Sequence, residues 1–252
     1  MFGNLFSRTQ KKDEIPPQNF SVLKTDMHSH LIPGIDDGAK TLEESLELVR
    51  GLIKLGFSNA ITTPHVMGDY YPNNGAIISS GCIKLQEAIQ REGLNFRLEA
   101  SAEYNIDSYT AELFNQGDIL FMPGKRILVE LSFFSPPPDL ENRIFQLRIK
   151  GYYPILAHPE RYSYYMGSRS DIERICDLGC DLQVNILSLA GYYGNSIAKW
   201  AKTLVEAGMV SYLGTDMHHT RHLQALENAL KHKDILRLLQ RYSFKNKDLF
   251  NE

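Results

Sequence analysis

Five histidines and six carboxylates fall in short clusters, each at the end of an apolar, strand-like run. The clusters are Asp26-Met27-His28-Ser29-His30, Asp36-Asp37, Thr63-Pro64-His65, Glu103, Glu130, Ala157-His158-Pro159 and Thr215-Asp216-Met217-His218. Imidazole nitrogen and carboxylate oxygen are donors that divalent metals take. The set is too large for one ion, so the expected site is polynuclear and hydrolytic. In an extended chain, side chains i and i+2 share a face. His28 can therefore act with His30, and Asp216 with His218. Asp36 and Asp37 are adjacent in a Gly-flanked turn; neighbours rarely face one point, so one of the two is expected to bind metal. Glu103 and Glu130 end separate strands, and a carboxylate can bridge two ions with its two oxygens. His219, His222 and His232 read as decoration of a helix, with a supporting place behind the metal ligands as the alternative for His222.

Bound divalent ions lower the pKa of water toward neutrality and offset charge on a phosphoryl or acyl oxygen. Two arginines sit beside the clusters: Arg161, three residues past His158, and Arg221, three past His218. Guanidinium forks match phosphate oxygens in geometry and charge. Metal donors together with arginine favour phosphoester over amide hydrolysis. The expected chemistry is in-line attack by a metal-bridging hydroxide, with Arg offsetting the equatorial charge. Turnover is expected to depend on His158, Arg161 and Arg221. A thiolate nucleophile is disfavoured. Six residues after Cys82, Cys176 and Cys180 stand Ala88, Leu182 and Ile186 instead of arginine. The three cysteines read as small buried hydrophobes.

These side chains need a scaffold that brings many strand ends to one place. Strand-like runs occur at 21–27, 58–62, 96–102, 126–131, 153–157, 181–186 and 209–214. Helical signals lie between them. Thr41-Leu42-Glu43-Glu44 is a capping box, followed by apolar residues at helical spacing and stopped by Gly56. Further helices are expected near 85–92, 140–149, 170–178, 196–207 and 222–241. Segment 66–76 is polar and turn-rich, suited to a loop over the site, and Pro136-Pro137-Pro138 to a stiff connection. Strands alternating with helices imply a parallel sheet, open or closed. An open sheet gathers ligands at one switch point between two strands. A barrel points every strand's carboxyl end at one mouth. Ligands from six strand ends fit only the closed form, so the expected fold is α/β, a distorted (β/α)7 TIM-like barrel.

Length and charge agree with that reading. A chain of 252 residues with 43% hydrophobic content can form one such domain, here expected over residues 20–252. Residues 1–19 are polar and charged with a Pro pair, and read as a flexible lead-in. The net charge of -3 and pI near 6.3 give no basic footprint for nucleic acid. The start carries no signal-peptide pattern, and no stretch approaches the ~20 apolar residues of a membrane span. A cytoplasmic protein without membrane insertion is expected.

The motifs resemble those of the PHP (polymerase and histidinol phosphatase) metallo-phosphoesterases. Most similar are the bacterial PHP-type protein-tyrosine phosphatases of capsule and exopolysaccharide synthesis. The resemblance runs from about Thr25 to Arg221. It rests on Asp26-Met-His-Ser-His30 with Leu-Ile-Pro-Gly-Ile-Asp-Asp-Gly38, on Thr63-Pro-His65, and on Ala102-Glu103-Tyr104 and Leu128-Val-Glu130. It continues through Ile155-Leu-Ala-His-Pro-Glu-Arg-Tyr162, Gln183-Val-Asn185 and Thr215-Asp-Met-His218. The resemblance implies the PHP fold and three divalent metal ions, manganese foremost, with iron, zinc or magnesium as the others used. It implies that His28, His30, Asp37, His65, Glu103, Glu130, His158, Asp216 and His218 hold them. Arg161 matches a substrate-phosphate contact. A second family arginine lies somewhat further past the Asp-x-His motif than Arg221 does. The implied substrate is a phosphotyrosine-containing protein, a cytoplasmic tyrosine autokinase that controls polysaccharide export. The alternative is a PHP phosphatase of a small metabolite such as histidinol phosphate. An oligomer is compatible with either. A phenolate leaving group, with a pKa near ~10, departs without a strong general acid, which suits an aryl ester. Tyr70, Tyr71, Tyr104 and Tyr162 are equally suited to flank that ring or to pack in the core.

Overall fold

The computed structural model describes residues 18–250, so the expected lead-in lies almost wholly outside the described residues. The first stave of the barrel is short. The run expected at 21–27 is strand only in β1 (Thr25–Asp26), because a turn of 3-10 helix (Phe20–Val22), capped by Asn19, occupies its start. Helix α1 (Leu42–Leu55) begins at Thr41, whose hydroxyl accepts the Glu44 N–H, and ends at Gly56 with φ +101°. The Glu44 carboxylate reaches back one residue further than a capping box requires, to the Lys40 N–H at 2.7 Å.

Two expected strands are each split. Run 58–62 continues past Thr63-Pro64, giving β2 (Asn59–Thr62) and β3 (His65–Val66). Proline lacks the N–H that a continuous ladder needs. After α2 (Gly75–Arg91), run 96–102 likewise gives β4 (Arg97–Ala100) and β5 (Glu103–Asn105). The breaks lie side by side and are bridged by Ser101 N–H to Thr62 O at 2.9 Å and Glu103 N–H to Pro64 O at 3.0 Å. Helix α3 (Ser108–Gln116) follows, opened by an Asp107–Thr110 capping box and closed by Gly117. The chain continues through β6 (Arg126–Glu130), α4 (Leu140–Ile149), β7 (Tyr153–Ala157), α5 (Arg169–Asp177) and β8 (Asp181–Asn185). It ends with α6 (Ile186–Leu189), α7 (Asn195–Glu206), β9 (Tyr212–Gly214), α8 (Thr220–Ala229) and α9 (Lys233–Arg241). The single helix expected over 222–241 is therefore two.

Every strand pair is parallel. One sheet has the order β1-β2-β4, the other β3-β5-β6-β7-β8-β9. Because β2 runs into β3 and β4 into β5, the nine segments form seven staves. The ring closes where the chain leaving β1 meets the chain leaving β9. There Ser29 pairs with Met217, Asp216 N–H donates to His28 O, and His30 N–H donates to Met217 O, both at 2.8 Å. The fold is a distorted, seven-staved, TIM-like barrel of parallel strands, as expected.

Period-two alternation divides the apolar residues between two cores. Ile61, Leu128, Ile155, Ala157 and Tyr212 point into the barrel, with Met27, Met122 and Leu249. Ala60, Ile127, Val129, Leu156 and Leu213 point outward into the larger core beneath the helices. Leu128 faces inward, so Glu130, two residues on, does too, at the upper rim. No helix among the described residues is long and apolar enough to cross a membrane.

Candidate metal centre

All nine side chains that the resemblance nominates as metal ligands meet at the carboxyl ends of the staves. They form four overlapping groups whose donor atoms lie within 4.8 Å of one another: His30, Asp37, His65 and His218; His28, His30 and Glu103; His28, His158 and Asp216; His65, Glu103 and Glu130. Glu103 stands at the middle. Its Oε2 is 3.1 Å from His28 Nε2 and 3.2 Å from His65 Nδ1, and its Oε1 is 3.0 Å from His158 Nε2. Asp216 Oδ1 lies 3.4 Å from Nε2 of both His28 and His30. Asp37 closes the outer side, 3.5 Å from His65 Nε2 and 3.4 Å from His218 Nε2.

Two of these residues break the backbone pattern. His158 has φ +34° and Asp216 φ +52°, a region that non-glycine residues seldom occupy. Ala157 points into the barrel, so plain alternation would turn His158 outward. The left-handed turn brings it back over the mouth. Strain held at two neighbouring side chains of one cluster is the mark of a functional constraint. Glycines allow close approach within the cluster. A Cβ on Gly38 would lie 2.2 Å from His30 O, and one on Gly214 would lie 2.7 Å from His28 Cβ.

The far nitrogens of the imidazoles are held from behind. His28 Nδ1 donates to Gln183 Oε1 at 2.8 Å, His30 Nδ1 to Asp36 Oδ2 at 2.8 Å, and His218 Nδ1 to Asp216 O at 2.9 Å. Those partners fix the tautomer and aim each Nε2 lone pair into the cluster, as second partners of metal-binding histidines do. Asp36 therefore supports and Asp37 faces the cluster. Gln183, Asn185 and Asp36 were not predicted to have this role. Asn185 donates to Asp216 Oδ2 at 2.7 Å and accepts from Gln183 Nε2 at 2.8 Å. The signal for them was present in Gln183-Val-Asn185, whose i, i+2 spacing puts both amides on the inner face.

The charge balance fits cations. Burial opposes ionisation of Glu103 and Asp216, but the surrounding histidines outweigh it and hold both well below the usual carboxylate range. Glu130 moves the other way: burial, then the charges of Glu103 and Asp216, push it well up. Burial lowers His28 and His30, yet Glu103 and Asp216 around the first and Asp36 beside the second more than offset it, so both are raised. Burial brings His65 down to about 4 and also lowers His158. Glu103 Oε2, His65 Nδ1 and His158 Nδ1 are buried yet make no hydrogen bond. A concentration of acceptors and lone pairs that cannot satisfy one another is what divalent ions complete.

Above the cluster is a cavity of about 280 Å³, into which Glu130, His158, Arg161 and Asp216 project beside Phe133 and Tyr193. The 3-10 turn Pro159–Arg161 carries Arg161 there, and its guanidinium donates to Asp216 Oδ2 at 3.0 Å. Arg221 is placed differently. It is exposed on the first turn of α8 and is not among the residues lining the cavity. His222, expected to decorate that helix, is buried in the cavity wall with Nδ1 3.1 Å from Asp216 O. His219 caps the same helix by accepting the His222 N–H. Of the tyrosines considered for ring contact, Tyr104 and Tyr162 are buried, their hydroxyls accepting the N–H of Leu120 and Leu131. Tyr71 lies over His65, ring centres 5.6 Å apart, while Tyr70 is exposed. A larger cleft of about 710 Å³ between Pro136–Pro138 and α5 contains none of the clustered ligands.

Comparison with known proteins agrees with this geometry. Tyrosine-protein phosphatase YwqE of Bacillus subtilis (strain 168) is 28% identical over 197 residues, 78% of each chain. A crystal structure from work on YwqE of Bacillus subtilis and CpsB of Streptococcus pneumoniae, described as unique metal-dependent tyrosine phosphatases, aligns with a TM-score of 0.75. It is 26% identical and the match covers 87% of this chain and 96% of that one. Histidinol phosphate phosphatase from Lactococcus lactis, crystallised with zinc, L-histidinol and phosphate, has a TM-score of 0.53 at 13% identity, over 82% of this chain and 92% of that one. That likeness is one of fold. Residues 24–234 match the family described as capsular polysaccharide synthesis, CpsB/CapC, and the chain belongs to it.

Proposed function

We propose that this protein is a metal-dependent phosphotyrosine-protein phosphatase acting in exopolysaccharide or capsule synthesis. The observation that carries the reading is the convergence of nine imidazole and carboxylate side chains beneath Arg161. We assign three divalent ions to His28, His30, Asp37, His65, Glu103, Glu130, His158, Asp216 and His218, manganese first. When bound, such ions supply a water of lowered pKa and offset phosphoryl charge.

The chain's own groups do the rest. Asp216 takes one branch of the Arg161 fork, which holds the guanidinium in the cavity wall with its other N–H groups available for phosphate. His28, His30 and His218 are oriented from behind, so little reorganisation is needed as charge develops. Arg161 is the phosphate contact in this proposal; Arg221, exposed on α8, is not. The leaving phenolate needs no strong acid.

Access favours a polypeptide over a small metabolite. Asp37 is half exposed and the Arg161 side chain 25% exposed, so the cluster reaches the surface. The proposed substrate is accordingly a phosphotyrosine-bearing tyrosine autokinase, met in the cytoplasm. The test is turnover by manganese-loaded protein of a phosphotyrosyl peptide against histidinol phosphate at equal concentration. The peptide should win by at least about tenfold in kcat/KM, and chelation or His158→Ala should abolish the activity. Faster turnover of histidinol phosphate would replace this reading with the metabolite phosphatase.

A further inference from the structure

The cavity mouth carries aromatic surface that the metal-type side chains do not use. Phe133, three residues past the end of β6, lines the cavity and keeps 42% of its surface open. Phe134 beside it in the chain is 96% exposed. Leaving apolar surface in water forgoes stabilisation that burial would supply, so an open phenyl group lining a reaction cavity marks a binding surface.

Phe133 is held in place. It lies near-parallel to His158, centroids 5.8 Å apart at 16°, and leans on Tyr162 at 5.3 Å. Its backbone is pinned on one side, because Tyr164 donates its hydroxyl to Ser132 O at 2.8 Å and Leu131 N–H donates to the Tyr162 hydroxyl at 3.0 Å. The Arg161 guanidinium lies 5.0 Å from the Phe133 ring centre and 4.6 Å from that of Tyr193, which also lines the cavity. The guanidinium suited to phosphate therefore lies against two rings of the cavity. A phosphoryl group bonded to Arg161 would leave its organic substituent beside those rings. A phenyl substituent offers a flat face and edge to them; a short alkyl chain does not.

We propose that Phe133 and Tyr193 form an aryl slot that selects aryl over alkyl phosphomonoesters. The inference rests on the phosphatase reading for where phosphate binds. A purely structural role, in which Phe133 only props up Arg161, makes a different prediction. Propping would affect every phosphoryl ligand alike, whereas a slot affects only those carrying a ring.

Binding of phenylphosphonate and methylphosphonate to the manganese-loaded full chain separates the two by calorimetry, without turnover. The native protein should bind phenylphosphonate about 10- to 100-fold more tightly, the gain expected for a ring partly removed from water. Phe133→Ala should cut that ratio to about threefold or less, chiefly by weakening phenylphosphonate. Tyr193→Ala should lower the ratio as well, and Tyr193→Phe should keep it, which covers the case in which one variant misfolds. Equal weakening of both ligands, or no native preference, overturns the slot. A native preference for phenylphosphonate without turnover of phosphotyrosyl peptide would uphold the slot and remove the phosphatase assignment.

Discussion

Asp36 and Asp37 share a side chain and a turn, yet burial gives them different tasks. Asp36 is buried and satisfied by the protein, taking His30 Nδ1, the His65 N–H at 3.1 Å and the Gly38 N–H at 2.9 Å. Asp37 is half exposed and faces His65 and His218. Asp36→Ala would leave three donors unpaired and free the His30 ring to rotate. Loss of such a backing partner typically weakens metal binding about 10- to 100-fold. Titration of metal-free protein with manganese measures this, and unchanged affinity would show that His30 needs no backing. The raised pKa values of His28 and His30 carry a second prediction. A raised value means that metal-free protein binds protons at these imidazoles more readily than a free imidazole does, so cations compete with protons there. Metal loading should therefore release protons, and affinity should fall as pH falls. Calorimetry in two buffers of different ionisation enthalpy reads the release directly; identical apparent enthalpies would refute it.

The elements set how closely these residues approach, and glycine sets the limit at two points. Gly38 brings the turn after β1 against His30, where a Cβ would sit 2.2 Å from backbone oxygen and 2.5 Å from His30 Cβ. Neither atom is the end of a flexible side chain, so Gly38→Ala must move the histidine or the turn. We expect a loss of about 1–3 kcal/mol in stability, the range for overpacking, together with reduced metal content. Thermal denaturation and metal analysis on one preparation check both; a variant with native melting and full metal would exclude the contact. Much at this scale was legible in the sequence. The Thr41 cap and Gly56 stop bounded α1, and runs 126–131, 153–157 and 181–186 became β6, β7 and β8 nearly residue for residue. Helix α3 has no expectation in the sequence, although Asp107, Thr110 and Gly117 mark its ends, because at nine residues it is too short to display a sustained helical period. The break between α8 and α9 carries neither glycine nor proline, the usual local punctuation. Between the two readings of His222, helix decoration and support behind the ligands, the sequence cannot choose, because nothing in its local spacing tells that α8 turns that side toward Asp216.

At the scale of the molecule, what could not be read was contact between distant parts of the chain. The barrel closes through Ser29 and Met217, and its lower end is filled by the segment after α9. Asn246 anchors that segment. It is fully buried, accepts the Leu213 N–H at 3.0 Å, and donates to Leu213 O at 2.6 Å and Thr25 O at 3.1 Å. One side chain thus joins the first and last staves, and Leu249 packs beneath them against the inner core. In barrels of this kind the carboxyl-end face carries chemistry and the opposite face carries stability. Asn246→Ala tests that division. Removing the amide leaves buried backbone groups of Leu213 and Thr25 without their partners, at a cost of about 1–3 kcal/mol for each group left unsatisfied. With three such groups at the low end of that range, about 3 kcal/mol in all, the melting temperature should fall by roughly 6–12 °C for a chain of this length. Turnover per folded molecule should stay within about twofold of native below that temperature, since the hydrogen bonds of Asn246 go to Leu213 and Thr25 and not to the ligands at the mouth. Native melting with lost turnover would reverse the division, and would mean that the tail acts on the mouth through the inner core instead of holding the staves together.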